Sequence, residues 1–255
     1  MPRVRRQTSG TGIYHVFVRG INKEFIFNQT REKKYLKKII CKHINDYDVQ
    51  IYAYCIMSTH AHLLIKAKQL SILSMFMSKV LAEYAAYYNF KKKRNGHVFQ
   101  NRFKSEVIED TRYLWNCLKY IHLNPVKAKM VANVLQYKYS SIHDYKKGYS
   151  KIISEEAIRY CFERFTTWKE MLEFHGVYGE GFFLDTVEEQ KERAIEIAWN
   201  LLWQFQEENN LDTCVEILEE PELRMNYVEK MKKVLNFSDA QIKRIYKEIE
   251  KNVII

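Results

Sequence analysis

The apolar positions in the first half of the chain follow two different periods. β-Branched and aromatic residues form short runs at 13–20, 49–57 and 60–67, and each run predicts a strand. Only two residues separate the second run from the third, so these two strands are predicted to form a hairpin. Over 30–45 and 72–88 the apolar residues have helical spacing, which predicts two amphipathic helices.

The next stretch adds one more strand and one more helix. Residues 97–109 have an extended character, and Asp110 or Thr111 can cap a short helix that runs through His122. Pro125 is expected to limit this helix, because proline disturbs the turn before it. The order strand, helix, hairpin, helix, strand, helix predicts an α+β fold of ferredoxin-like type, with an antiparallel sheet and helices on one face.

The pattern changes after residue 150. Residues 187–207 predict an acidic amphipathic helix, and 224–251 predict two further helices. We therefore expect a first domain over 1–150, a connecting segment over 151–185, and an all-α, acidic accessory domain over 186–255. The residues predicted to face inward from the acidic helix are Ala194, Ala198, Leu201, Leu202 and Phe205.

The composition is that of a globular chain, with 47% hydrophobic residues, 3 prolines and 8 glycines. No apolar run approaches the roughly 18 residues of a membrane span, so no membrane partner is expected. The five cysteines are far apart and no CxxC pair occurs, which indicates neither a disulfide framework nor a zinc ribbon. These features predict a protein of the reducing cytoplasm.

The net charge of +10 is unevenly distributed along the chain. Residues 1–150 contain 27 Lys and Arg against 9 Asp and Glu, whereas residues 151–255 contain 14 against 22. Such asymmetry indicates that the first domain binds a polyanion, with ordinary surface lysine as the alternative explanation. The candidate phosphate-binding residues are Arg19, Lys91, Lys92, Lys93, Arg94, Arg102 and Lys104.

Two histidines interrupt the third predicted strand, in the sequence HAH at 60–62. Residues i and i+2 of a strand point to the same face, so His60 and His62 are expected to lie side by side. Two neighbouring imidazoles can share one metal ion. The alternative is a hydrogen-bonded histidine pair on a half-buried sheet.

A second polar pair lies on the last predicted helix of the first domain. Tyr120 is about 200° around the helix from Leu118, and therefore points away from the apolar stripe. Asn124 is one turn further along, on the same face as Tyr120. The alternative interpretation makes Tyr120 a surface or interface aromatic residue and Asn124 a helix-end residue before a proline.

Several motifs in this order resemble one known family. They are YHVFVRG at 14–20, HAH at 60–62, GHVFQNRFKS at 96–105, YIHLNPV at 120–126 and YKYSSIHDY at 137–145. Together they resemble the single-tyrosine HUH transposases, and in particular the IS200-like and REP-associated tyrosine transposases. The resemblance covers roughly residues 9–147 and leaves the rest of the chain outside.

The resemblance implies a catalytic domain that cuts and rejoins single-stranded DNA through a 5′-phosphotyrosine intermediate. Position by position, it implies that His60 and His62 bind a metal ion, that Tyr120 is the nucleophile, and that Asn124 is the third metal ligand. His122 is an alternative third ligand, although it faces elsewhere on the helix. Mg²⁺ or Mn²⁺ is the expected cofactor.

The expected partner is single-stranded or hairpin DNA, with the protein acting as a monomer or a homodimer. Two other functions remain open at this point. One is a non-catalytic or domesticated nucleic-acid-binding protein of the same fold. The other is a metal-dependent phosphohydrolase that uses water as its nucleophile.

Overall fold

A computed structural model describes residues 6–176, 187–235 and 239–253. The chain divides into two compact units, Met1–Phe183 and Leu184–Ile255. Each unit has its own cluster of buried apolar side chains. The resemblance to known motifs falls entirely within the first unit.

The first unit is built on four strands and two helices in the predicted order. The elements are β1 (Ile13–Arg19), α1 (Thr30–His43), β2 (Val49–Ile56), β3 (His60–Ala67), α2 (Leu70–Lys92) and β4 (Lys104–Ile108). The strands form one sheet in the order β2-β3-β1-β4, and all neighbouring pairs are antiparallel. This order is that of a ferredoxin-like fold, so the predicted fold class is confirmed.

The last strand is shorter than the sequence predicted. β4 begins only at Lys104, and the residues before it run along the end of β1 instead. There the amide of Ile21 donates to the carbonyl of Val98, and the amide of Gln100 donates to the carbonyl of Arg19, at 2.9 Å and 3.0 Å. The motif at 96–105 therefore continues the backbone hydrogen bonding of β1 past the end of the sheet.

The two faces of the sheet have different coverings. α1 and α2 pack together over one face, where the ammonium group of Lys37 lies 4.8 Å from the centre of the Tyr54 ring. Tyr54 is paired with Leu63, whereas the next residue of β2 is paired with His62. The histidine face is therefore the opposite one, and a third helix covers it, so helices lie on both faces of the sheet and not on one alone as predicted.

This third helix is α3 (Thr111–Lys127), which is longer than the sequence predicted. Its start was correctly predicted, since Oδ1 of Asp110 accepts the amide of Tyr113 at 2.7 Å. Its end was predicted too early, because Pro125 lies inside the helix. The chain after Pro125 still closes its turn, with the amide of Ala128 donating to the carbonyl of Asn124 at 2.9 Å. Nearly every residue from 114 to 125 is buried, so packing on both sides outweighs the lost hydrogen bond.

The motif at 137–145 closes the outer edge of the sheet. Ser140 forms an antiparallel bridge with Cys55, and the hydroxyl of Tyr137 donates to the carbonyl of Ile56 at 2.7 Å. The hydroxyl of Tyr145 donates to the carbonyl of Tyr52. These bonds satisfy backbone groups of β2 that would otherwise form an unpaired edge.

Three short helices complete the described part of the first unit: α4 (Ile142–Lys147), α5 (Glu155–Arg164) and α6 (Trp168–Gly176). The last two lie in the stretch 151–185, for which the sequence predicted a connecting segment. Side chains such as Ile153, Ile158 and Met171 belong to the buried cluster of the first unit. This stretch therefore contributes to the core of that unit as far as residue 176, and residues 177–185 lie outside the described residues.

The second unit is all-α over its described residues. It contains α7 (Val187–Glu208), α8 (Cys214–Glu219), α9 (Pro221–Leu235) and α10 (Asp239–Val253). The five apolar residues predicted to face inward from α7 are all buried in its core. All five cysteines of the chain are free. Among the described helices, none is long and apolar enough to cross a membrane.

Gly20, the last residue of the YHVFVRG motif, has a steric reason to be glycine. A Cβ atom at this position would lie 2.4 Å from the carbonyl oxygen of Glu24 and 3.0 Å from a methyl group of Ile26. The main-chain amide of Gly20 also donates to the carbonyl of Thr59 at 2.9 Å. The chain turns so tightly after β1 that a side chain has no room.

We expect the Gly20→Ala variant to lose about 1–3 kcal/mol of unfolding free energy, because the backbone must shift to admit the methyl group. Urea unfolding followed by circular dichroism measures the loss. Gly176→Ala is the matched control, since a Cβ atom there meets nothing within 4 Å. Equal stability of the two variants would contradict the steric explanation.

Candidate active site

The histidine pair lies on the sheet face covered by α3. His60 and His62 are on β3, with ring centres 5.1 Å apart and ring planes perpendicular to each other. In the sheet, His60 is directly opposite Arg19 and His62 is directly opposite Phe17. His62 is 3% exposed, whereas His60 is only partly buried. The pair therefore has one buried member and one member near the solvent.

Tyr120 of α3 packs against His62, the buried member of this pair. Its ring centre is 5.6 Å from that of His62 and 5.8 Å from that of His15, and both contacts are edge-on. The residue points away from the stripe of Leu118, as predicted, but it faces the sheet and is only 3% exposed. The surface alternative for Tyr120 is therefore wrong, because α3 is covered on more than one side. The ammonium group of Lys127 lies 4.7 Å from the centre of the Tyr120 ring.

Asn124 lies one turn beyond Tyr120 and is 2% exposed. Its Nδ2 donates to the carbonyl oxygen of Tyr120 at 3.1 Å. This bond uses the amide nitrogen and fixes the side chain against its own helix. The amide oxygen is the atom with which Asn124 can bind a cation.

His122 has a different environment from the three residues above. Its Nε2 is 2.7 Å from the hydroxyl of Ser141, and its Nδ1 is 2.9 Å from Nε2 of His175. Nδ1 of His175 is in turn 2.7 Å from the carbonyl oxygen of Met171. Both ring nitrogens of His122 are therefore engaged in a buried hydrogen-bonded chain, which argues against the alternative that His122 is a metal ligand.

The direction of the hydrogen bonds in this chain follows from its two ends. The carbonyl of Met171 can only accept, so Nδ1 of His175 donates and its Nε2 accepts from Nδ1 of His122. Nε2 of His122 then accepts from Ser141, whose oxygen already accepts the amide of Tyr54 at 2.9 Å. Both histidines are neutral in this arrangement. Burial lowers the pKa of His175 to about 4 and holds the pKa of His122 well below its usual value.

His15 is a residue of this region whose position the sequence did not reveal. It is 1% exposed on β1, and its Nε2 is 3.0 Å from Nδ1 of His62. Burial lowers the pKa of His15 to about 4. Its place in the YHVFVRG motif was visible, and its strand spacing puts it on the same face as Phe17. Its contact with His62 depends on the pairing of β1 with β3, which no local pattern specifies.

The predicted phosphate-binding residues divide into two groups. Lys91 forms an ion pair with Glu32, and Arg94 forms one with Glu24. The Glu32 carboxylate is buried, so its partner Lys91 has a structural role. Of the remaining candidates, Arg19 is partly buried beside His60, and four are solvent-exposed: Lys92, Lys93, Arg102 and Lys104.

The donor atoms available at the site suit a hard or borderline divalent cation. Nδ1 of His60 is 2.9 Å from the hydroxyl of Thr59, and Nδ1 of His62 is bonded to His15, so a cation would be bound through Nε2 of each ring. Among the described residues, no group of three or more His, Cys, Asp and Glu side chains is placed to hold a metal. A cation bound here would take the amide oxygen of Asn124 as its third protein ligand, and water and phosphate oxygens would complete the shell.

A ferredoxin-like sheet with a histidine pair on its third strand, and a tyrosine of α3 packed against His62, is the arrangement that the resemblance to single-tyrosine HUH transposases implied. Residues 9–124 match the family model described as Transposase IS200 like. The chain is similar to this family over that stretch, which lies in the first unit and is less than half of the chain. Similarity to a transposase family supports a DNA-processing enzyme.

Similar individual proteins include one curated protein and one solved structure. A protein of Haemophilus influenzae named as a REP-associated tyrosine transposase is 28% identical over 155 residues, which are 56% of this chain and 86% of that protein. A solved structure of a REP-associated tyrosine transposase bound to a REP hairpin aligns with a TM-score of 0.50 and 22% identity. That alignment covers 60% of this chain and 92% of the other, and it supports the fold.

The buried His122–His175 pair makes the stability of the protein depend on pH. The folded pKa values lie below those of the unfolded chain, so the unfolded chain binds more protons as the pH falls below about 6.5. We expect the unfolding free energy to be highest above pH 6.5 and to fall progressively between pH 6.5 and about 4. Urea unfolding at a series of pH values measures this decline.

The His175→Gln variant tests the origin of the decline. It removes one of the buried titrating groups, so its unfolding free energy should fall less steeply over the same pH range, even if it is lower throughout. His97→Gln is the matched control, because His97 is exposed and should leave the slope unchanged. A slope in His175→Gln equal to that of the unaltered protein would rule out this pair as a cause.

Proposed function

We propose that this chain is a metal-dependent enzyme that cleaves and rejoins single-stranded DNA through a 5′-phosphotyrosine intermediate. The observation that carries the proposal is the contact of Tyr120 with His62. The two residues come from elements far apart in the chain, yet their rings are 5.6 Å apart, with His60 beside them. This juxtaposition supports a nucleophilic role for Tyr120 beside two nitrogen ligands of a cation.

In this proposal, His60, His62 and Asn124 hold Mg²⁺ or Mn²⁺. A cation bound there would polarise the scissile phosphate and stabilise the negative charge that develops in the transition state. Thr59 and His15 keep the two imidazoles in place through their Nδ1 atoms. The bond from Asn124 to the carbonyl of Tyr120 ties the third ligand to the nucleophile's own helix.

Tyr120 is proposed to attack the scissile phosphorus with its phenol oxygen. The bond from Oη to phosphorus forms, the bond from phosphorus to the 3′ oxygen breaks, and a 3′-hydroxyl leaves after taking up a proton. The covalent link conserves the phosphodiester bond, so a 3′-hydroxyl can attack it later and rejoin the DNA without a nucleotide cofactor. Because Tyr120 is buried, DNA binding has to expose its hydroxyl to the strand.

The substrate is proposed to be single-stranded DNA that carries a hairpin. The net positive charge of the first 150 residues supports a polyanionic partner. The position of Arg19 directly opposite His60 in the sheet is consistent with a phosphate bound at the site itself. The similar REP-associated transposase is bound to a REP hairpin, and we propose the same class of ligand here. We further propose that the enzyme acts in the cytoplasm as a monomer or a homodimer.

Two alternatives would use the same fold. A non-catalytic or domesticated DNA-binding protein would have no use for a tyrosine packed against His62 with His60 beside it, and this arrangement favours the enzyme. A metal-dependent phosphohydrolase would use water in place of Tyr120. Only the phosphotyrosine proposal requires a covalent protein–DNA product, which makes it the decisive observation.

The decisive experiment incubates the protein with labelled single-stranded DNA from the hairpin-bearing flanks of its own gene, with Mg²⁺ or Mn²⁺. We expect a covalent adduct on a denaturing gel that requires the metal ion and is absent from the Tyr120→Phe variant, which lacks the nucleophilic oxygen. Tyr149→Phe is the matched control, since Tyr149 is 72% exposed and outside the site.

Each other outcome points to one alternative. Cleavage that persists in Tyr120→Phe without any adduct would establish water as the nucleophile. Binding of the DNA on a native gel, with neither cleavage nor adduct in the unaltered protein, would favour the non-catalytic protein.

The two exposed lysines at the end of α2, Lys92 and Lys93, are predicted to contact phosphates, whereas Lys91 is not. We expect the Lys92→Gln, Lys93→Gln double variant to bind single-stranded DNA more weakly. The slope of log K against the logarithm of the salt concentration should become shallower by about 1.4, because two phosphate contacts are lost. The measurement is fluorescence anisotropy at several salt concentrations. The expected stability of this double variant is unchanged, because both lysines are exposed.

Lys91→Gln is the matched comparison from the same run of cations. It leaves the buried Glu32 carboxylate without its partner, so we expect a loss of about 3–5 kcal/mol of unfolding free energy and an unchanged salt dependence. A large effect of Lys91→Gln on the salt dependence, with no effect of the double variant, would reverse these assignments.

A further inference from the structure

A row of three polar side chains crosses the sheet behind the candidate cation site. His62 is on β3, His15 is on β1, and Glu106 is on β4. Nε2 of His15 is 3.0 Å from Nδ1 of His62, and Nδ1 of His15 is 4.0 Å from Oε2 of Glu106. Glu106 is directly opposite His15 in the sheet, so the strand register itself brings these two side chains close together.

Two atoms of this row lack a hydrogen-bond partner within the described parts of the chain. They are Nδ1 of His15 and Oε2 of Glu106, and both are buried. Buried polar atoms without partners destabilise a protein, so they are rare and call for an explanation. Here the two atoms face each other, and a small approach would turn the gap into a hydrogen bond.

The proton positions in this row are determined once a cation is bound. A cation on Nε2 of His62 excludes a proton from that nitrogen, so the neutral ring carries its proton on Nδ1. Nε2 of His15 must then accept this proton, and the proton of His15 must be on Nδ1. That proton points toward Oε2 of Glu106, and an ionised carboxylate oxygen is an acceptor with no proton to donate.

We propose that His15, with Glu106 behind it, is a positioning residue that orients His62 for cation binding. The proposal rests on the proposed function of the site. In this role, His15 does not contact the substrate. The residue fixes the rotation and the protonated nitrogen of a metal ligand, a role in which a carboxylate–histidine pair raises the affinity of the ligand it supports.

The surroundings of the row match this role. The ring of Tyr120 packs edge-on against both His15 and His62. Phe17, which is directly opposite His62 on β1, contacts the His62 ring as well. The hydroxyl of Tyr113 donates a hydrogen bond to the Glu106 carboxylate. Glu106 is thereby held in place from α3, the same helix that carries Tyr120.

The test measures Mn²⁺ binding to the full chain by electron paramagnetic resonance, without DNA and without any activity assay. We expect His15→Leu to bind Mn²⁺ about 10–100-fold more weakly than the unaltered protein, because the variant has no acceptor for the Nδ1 proton of His62. His15→Gln retains an acceptor oxygen and should restore most of the affinity. His97→Gln, on an exposed histidine, should bind like the unaltered protein.

Glu106→Gln keeps the experiment decisive even where His15→Leu fails to fold. The Glu106 side chain is 29% exposed, so its replacement by an isosteric amide is tolerated more readily than a change at His15. We expect this variant to weaken Mn²⁺ binding by about 3–10-fold, because a neutral amide is a poorer acceptor than a carboxylate. Melting temperatures recorded alongside separate a loss of affinity from a loss of folding.

The outcomes distinguish this inference from the proposal on which it rests. Affinity in folded Glu106→Gln and His15→Leu equal to that of the unaltered protein would overturn the positioning role while leaving the cation site intact. Equal weakening by His15→Gln and His15→Leu would overturn it too, since the acceptor would then not matter. A complete failure of the unaltered protein to bind Mn²⁺ would overturn the metal site and this inference together.

Discussion

The antiparallel pairing of β1 with β3 is the interaction on which the rest of the site depends. Opposed residues of such a pair point to the same face, so the register decides what surrounds the histidines. It puts Arg19 opposite His60 and Phe17 opposite His62, and it brings His15 within 3.0 Å of His62 on the diagonal. A slip of one residue would turn these polar side chains into the apolar layer beneath α1 and α2.

The helix α3 is the second constraint, because it is buried on several sides and still carries polar groups. Tyr120 and His122 are two residues apart, so they point in directions about 200° from each other. Tyr120 reaches the histidine face of the sheet, whereas His122 joins Ser141 and His175. One motif therefore supplies both the tyrosine that we propose as the nucleophile and a histidine of a buried hydrogen-bonded chain. The stability of the helix and the geometry of the candidate site are coupled for this reason.

The positively charged residues of the first unit fall into two groups, those paired with carboxylates of the protein and those exposed to solvent. Lys91 and Arg94 are occupied by Glu32 and Glu24, so their contribution is to the fold. The exposed cations of the same region remain available to a polyanion. A count of basic residues therefore overstates the surface available to DNA, since part of that charge neutralises carboxylates of the protein itself.

The sequence by itself determined the strands, most of the helices and the pairs of residues that share a face. Such periods are local properties of the backbone, so His60 with His62, and Tyr120 with Asn124, were recognisable without a structure. Only the tertiary structure decided that Tyr120 packs on His62 and that Nε2 of His15 lies 3.0 Å from Nδ1 of His62. It also decided that Lys91 pairs with the buried Glu32, and that 151–176 belongs to the core of the first unit. These contacts join elements far apart in the chain, and they depend on strand register and on the packing of whole elements, which no local pattern encodes.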